Sequence, residues 1–264
     1  MEEGRVFRAL RMAPLAAAVV LTALSPALAQ DSIYTRGIAA AKATATSPRD
    51  FSGVWVTKVF TPRFAEDPPY RPEAEKRFEA YTPASDPSAK CLPSGWPRIM
   101  ATPYPIEFIQ TPKMTLLYFE GGNYMRRIWT DGRKHPVDDD PTWYGHAIGW
   151  WEGNVFVVDT VGVNDKQFLS SAGDIKSESL HTVERWTLLD GNKRLKLEIT
   201  FDDPKVFTRP WTSTRYFDKT ADEILEYFCT ENNRNDPDDP NGLSYHGTVP
   251  YEVYQGIPGA KPNK

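Results

Sequence analysis

The sequence predicts an all-β fold, an antiparallel barrel, and three observations carry that expectation. Between residues 100 and 230 no stretch sustains a helical period over three turns, whereas short runs of β-branched and aromatic residues recur. Compact turns punctuate those runs, at Gly121-Gly122-Asn123, Trp151-Glu152-Gly153-Asn154 and Asp190-Gly191-Asn192, where Gly and Asn tolerate left-handed dihedrals. The chain also holds 23 Pro and 17 Gly among 264 residues, too many for a helical bundle, and its 13 Phe, 12 Tyr and 8 Trp suit strands joined by structured loops.

The elements follow in order. The folded part is expected to begin at Asp50-Phe51-Ser52-Gly53-Val54-Trp55-Val56, where Phe51, Gly53 and Trp55 share one parity and place an aromatic in the core. From Thr61 to Pro97 prolines are frequent and alternation is scarce, so the chain wraps over the surface. Pro72 to Tyr81 is the exception: a Pro before an acidic first turn, with Phe78 at helical spacing from Ala74, predicts one short helix. Ile106–Gln110, Lys113–Glu120 and Tyr124–Thr130 read as strands, the last two as a hairpin. Val155–Val161 is mostly apolar on both faces. Leu180–Leu189 pairs with Arg194–Phe201, in which Leu195, Leu197, Ile199 and Phe201 alternate with Lys196, Glu198 and Thr200. Arg215-Tyr216-Phe217 and Ile224–Cys229 are expected to close the sheet. Eight to ten short strands without crossover helices exclude a doubly wound α/β sheet. The early Gly-x-Trp strand and successive hairpins resemble lipocalin-like construction.

The chain's beginning reads as an export signal. Arg5, Arg8 and Arg11 precede an apolar stretch from Leu15 to Leu24, and Ala27-Leu28-Ala29 supplies small residues for cleavage. That stretch falls short of the ~20 apolar residues needed to span a bilayer, so no membrane span is expected and the protein is assigned to the periplasm or the exterior. The domain reading is a signal peptide over 1–29, a flexible segment over 30–49, a barrel over 50–233 and an irregular tail over 234–264. In an oxidising compartment Cys91 and Cys229, the only cysteines, are expected to form a disulfide, with two free buried thiols as the alternative.

Composition bounds the partners. A net charge of -4 gives no global attraction for nucleic acid or anionic lipid, so a small molecule is the expected partner, and a homo-oligomer is compatible with the composition. The chain lacks an HExxH helix, a GxSxG elbow, a GxxxxGK[ST] loop and a GxGxxG turn, so no organic cofactor is called. Asp138, Asp139 and Asp140 are adjacent carboxylates without calcium-loop spacing, and no metal is called either.

Four histidines remain: His135, His146, His181 and His246. His146 lies among Trp143, Tyr144, Trp150 and Trp151, which suits an aromatic-walled pocket with one acid or base, or equally a barrel end closed by aromatics. His181 opens a strand in which His181, Val183 and Arg185 share one face, and Thr182, Glu184 and Trp186 the other. If Glu184 points inward, it must be paired or used; if the other face is inner, Arg185 is the buried charge. Asp203 could orient an imidazole, with Arg133 and Arg209 holding the substrate's polar group, or these residues could cap turns. The catalytic candidates are therefore His146, His181, Glu184 and Asp203, and the substrate-binding candidates are Arg133, Trp143, Tyr144, Trp151 and Arg209.

Several motifs occur together: Cys91-Leu92-Pro93-Ser94-Gly95-Trp96-Pro97-Arg98, Asp131-Gly132-Arg133 with His135-Pro136, and Gly145-His146 with Trp151-Glu152-Gly153. Val157-Val158-Asp159-Thr160, His181 with Glu184-Arg185, Asp202-Asp203-Pro204 and Glu226-Tyr227-Phe228-Cys229 with Glu231-Asn232 complete the set. Over residues 50–233 the chain resembles a widespread group of uncharacterised exported bacterial proteins, and the resemblance supplies a shared site without a reaction. It departs at Ile175-Lys176-Ser177, where Pro-His-Ser is expected.

The functional expectation is an exported, cofactor-independent enzyme, a lyase, isomerase or hydrolase, acting by histidine acid–base chemistry on an aromatic, terpenoid or glycosidic small molecule. The alternative is a non-catalytic periplasmic small-molecule-binding barrel. A secreted structural protein is the third class.

Overall fold

The computed structural model describes residues 47–229, apart from Lys58, Glu66 and Asp139. The signal-peptide reading over 1–29, most of the 30–49 segment and the 234–264 tail lie outside those residues. Nine strands close a barrel in sequence order: β1 (Gly53–Val56), β2 (Ile106–Gln110), β3 (Met114–Phe119), β4 (Tyr124–Trp129), β5 (His146–Glu152), β6 (Val155–Val161), β7 (His181–Leu189), β8 (Arg194–Asp202) and β9 (Trp211–Lys219). The all-β barrel expected from the sequence is what forms.

Neighbouring strands are antiparallel with one exception, β4 beside β5, which run parallel through Ile128–Ala147 and Trp129–Ile148. An odd number of strands cannot close a ring with antiparallel neighbours throughout, so one parallel pair is required. Parallel neighbours need a long return connection, and residues 130–145 make it, departing from the pure succession of hairpins in the sequence reading. The hairpin turns fall where Gly and Asn placed them: Gly122 and Asn123 have φ of 87° and 54°, and Asp190, Gly191 and Asn192 are all left-handed.

The interior follows period-two alternation. Leu195, Leu197, Ile199 and Phe201 of β8 are fully buried, each stabilising by roughly 1.5–3 kcal/mol. Opposite them, Thr182, Glu184 and Trp186 of β7 face inward, which decides the face question left open by the sequence. Arg185 points outward and pairs with Glu152 at 2.8 Å.

The Pro-rich stretch does not merely wrap the surface. The Trp96 indole enters the core and donates from Nε1 to Thr182 Oγ1 at 2.9 Å, and the Phe64 ring packs 4.9 Å from Phe201. Both rings are too apolar to leave in water, so they fill the barrel end. The predicted helix forms as α1 (Pro72–Glu79). Arg63 and Tyr70 fasten this stretch to buried Asp174, each at 2.7 Å.

Ile224–Cys229 is not a strand. β9 already pairs with β1, so the closed sheet offers no edge for another. The segment instead lies along the β3–β4 turn, where Leu225 N donates to Glu120 Oε2 at 2.9 Å and Asn123 Nδ2 donates to the Tyr227 carbonyl at 2.7 Å. Cys91 and Cys229 are disulfide-bonded, with Cα atoms 5.5 Å apart. Among the described residues no helix is long and apolar enough to cross a membrane.

Candidate functional site

Two carboxylates on adjacent strands define two environments. Val158 of β6 sits opposite Glu184 of β7 and both face inward. Asp159, one residue further along β6, therefore faces out. β6 runs antiparallel to β5 and β7, so its last residues lie between the first residues of both, with His146 opposite Val161 and Thr160 opposite Thr182. His146 and His181 open those two strands on the same outer wall. The β4–β5 connection lays His135 against them.

Asp159 bridges two imidazoles. Its Oδ1 accepts from His135 Nε2 at 2.9 Å and its Oδ2 accepts from His181 Nε2 at 2.8 Å. His135 Nδ1 faces His146 Nδ1 at 2.8 Å, the two rings nearly perpendicular at 76°. An ionised carboxylate only accepts, so both Nε2 atoms carry protons. In neutral His135 the Nδ1 is then an acceptor, and His146 donates to it from Nδ1. The basic nitrogen facing solutes is thereby assigned from the hydrogen bonds as Nδ1 of His181.

The electrostatics agree with this wiring. For Asp159, burial pushes the carboxyl up, but the hydrogen bonds and charges of His181 and His135 outweigh it, and the group lies below its ordinary value. The hydrogen bond to Asp159 raises His181; burial opposes that, and the charges of Asp159 and Asp202 add to it. The His181 side chain is 39% exposed and Asp159 21%, so solvent and solutes reach both. Ile148 and Val183 sit directly opposite Asp159, and Val161 shares its face, giving the cluster an apolar floor.

The other sequence candidates lie elsewhere. Glu184 is fully buried and takes a bidentate pair from Arg126, at 2.6 and 2.9 Å, with the Trp186 indole as a third donor at 3.0 Å. Asp203 accepts from Ser177 N and Oγ and from Lys205 N, so it caps a turn and orients no imidazole. Asp159 does that work. Trp151 turns away from His146 and packs on Phe51 and Phe156. Tyr144 stacks on Phe119 and meets the Tyr124 ring at a tilt, and burial pushes its phenol up. The Trp143 carbonyl accepts from Trp96 N. These rings close the barrel rather than wall a pocket around His146. Arg133 lies over the Trp129 ring and pairs with Asp131, and Arg209 is exposed. In Ile175-Lys176-Ser177, Lys176 is buried, donates to the Asn164 carbonyl and is pushed down to about 8 by desolvation.

Sequence reasoning thus missed His135 and Asp159 as site residues. A signal for Asp159 exists: it is the one charge in the mostly apolar β6 run VFVVDTV. Nothing local marks His135, because a crossover loop delivers it. Among the described residues no group of three or more His, Cys, Asp and Glu side chains is arranged to hold a metal ion. Comparison with protein-family models and with curated proteins found no match.

Proposed function

We propose that the chain is an exported acid–base enzyme, a lyase, isomerase or hydrolase, whose site is the His135–Asp159–His181–His146 cluster on the outer barrel wall. The observation that carries this reading is the shared carboxylate: Asp159 holds two imidazoles in defined tautomers within reach of solutes. His181 Nδ1 serves as general base, taking a proton from the substrate. His146 acts as the second carrier, its charge relayed through His135 to Asp159. One carboxylate stabilises whichever imidazolium forms, so the pair exchanges roles without an isolated charge ever forming.

The substrate is an aromatic, terpenoid or glycosidic small molecule, whose hydrocarbon lies on the floor of Ile148, Val161 and Val183. Export is supported by the basic-apolar-small pattern of residues 1–29, by the disulfide, and by the resemblance to exported bacterial proteins. The test is turnover, followed by mass spectrometry over panels of the three compound classes. His181→Ala and Asp159→Asn should each lower turnover by about 10²-fold, the scale of a lost general base, with melting temperatures close to the wild type. Turnover unchanged in both variants would refute the assignment.

A further inference from the structure

A second region of the molecule, independent of the histidine cluster, is built like a binding site. Beside the β3–β4 turn lies a cavity of about 200 Å3. Ser94 and Arg98 come to it from the Cys91–Arg98 motif, Tyr104 from the segment before β2, Tyr124 from the start of β4, and Tyr227 from the Glu226–Cys229 motif. Two stretches far apart in the chain, the first of which also sends Trp96 into the barrel core, thus meet on one wall. The Cys91–Cys229 disulfide is part of that wall.

The chemistry of the lining is specific. Tyr104 and Tyr227 present rings whose centroids are 5.2 Å apart at 62°, with their hydroxyls 3.4 Å from one another. Thr102, Ser88 and Ser94 add further hydroxyls. The glycines of the turn keep the aromatic walls in place: a Cβ on Gly121 would lie 2.5 Å from the Tyr104 ring, and one on Gly122 2.3 Å from the Tyr124 ring. The one charged group in the lining, Arg98, is already neutralised. Its guanidinium pairs with Asp86 and donates to Ser88 Oγ and the Ser170 carbonyl. An anion entering the cavity therefore gains no unpaired cation and loses its hydration. Stacking faces with hydroxyl partners instead suit a neutral ring that carries hydroxyl groups.

We propose that this cavity binds a neutral, hydroxyl-bearing ring, a phenol or a sugar, with Tyr227 as its lid. The disulfide two residues beyond Tyr227, and the hydrogen bond from Asn123 to the Tyr227 carbonyl, hold that lid in place. The volume admits a ligand of one ring, for which affinity on the order of millimolar is expected.

The experiment is saturation-transfer NMR on the oxidised full chain with three probes: phenol, methyl glucoside and benzoate. Binding of phenol or of methyl glucoside is expected, and which of the two binds identifies the source of the ring. Benzoate should bind at least several-fold more weakly. Tyr227→Ala, a change outside the barrel strands, should weaken the neutral probe about tenfold by removing one stacking face. If that variant melts early, Ser94→Ala serves in its place, deleting a hydroxyl that lines the cavity with little change in volume. Absence of binding by both neutral probes, equal binding to the variant, or tighter binding of benzoate would each overturn the proposal. None of these outcomes depends on the histidine cluster, whose failure would show only in turnover.

Discussion

Glu184 and Asp159 lie on neighbouring strands, differ by one step of parity, and have opposite fates. Glu184 points into the barrel, where Arg126, Thr160 and Trp186 consume its oxygens and no solvent reaches it. Asp159 points outward, where two imidazoles share it and a fifth of its side chain remains exposed. Both are paired acids. One is locked into structure and the other is wired to groups that exchange protons near neutrality. Function follows burial and partner type rather than residue type, since a guanidinium stays charged in the working range and an imidazole does not.

The largest expected effect is on the inner pair. Glu184→Ala leaves the Arg126 guanidinium buried without its carboxylate and should destabilise by about 3–5 kcal/mol, whereas Arg126→Met combined with Glu184→Leu should recover most of that loss. Chemical denaturation of the three proteins measures it. An equally large loss in the double variant would show that the pair does more than neutralise itself.

Reducing the disulfide comes next. It ties the early Pro-rich stretch to a segment that has no strand of its own, so we expect a loss of about 2–4 kcal/mol with the barrel retained. Thermal melts with and without reductant, read by far-ultraviolet circular dichroism, give the size. Loss of the β signal on reduction alone would mean that the barrel depends on the staple.

Asp159→Asn should cost far less stability, under about 1 kcal/mol, because the pair is part-exposed and screened. Its signature is pH dependence instead. His181 is raised in the folded protein, so its contribution is complete below the ordinary histidine value of about 6.5 and disappears as pH rises through the raised folded value. Asp159 is lowered, so its contribution is present above the ordinary carboxyl value and disappears as pH falls through the lowered one. The stability difference between wild type and Asp159→Asn should therefore peak between these limits. In NMR titration of the ring protons, His181 should titrate above 6.5 in the wild type and fall in the variant. Turnover that uses neutral His181 as base should rise with pH through the same raised value. A titration midpoint unmoved by the substitution would break the contrast between the two acids.

Much of the architecture was legible in the chain because it is local. The alternation of Leu195 to Phe201 specifies a half-buried strand whatever surrounds it, and the Gly and Asn turns close hairpins between sequence neighbours. The disulfide was legible for a different reason, since a chain with only two cysteines has one internal pairing to make. The Ile224–Cys229 error came from reading a short, largely apolar run as a strand without knowing that β1 and β9 had already closed the ring.

The amino-acid sequence by itself determined most of the strands, though neither β5 nor the absence of one at Ile224–Cys229, together with the hairpin turns, the cysteine pairing and the set of histidines from which a site could be built. The tertiary structure alone decided which face of β7 is inner, that Glu184 meets Arg126, and that a parallel β4–β5 step carries His135 across to Asp159 and His146. The reason is physical: period-two alternation says that a strand's two faces differ, but the direction of the core, and the partner of a buried or shared charge, are properties of strands that meet only when the barrel closes.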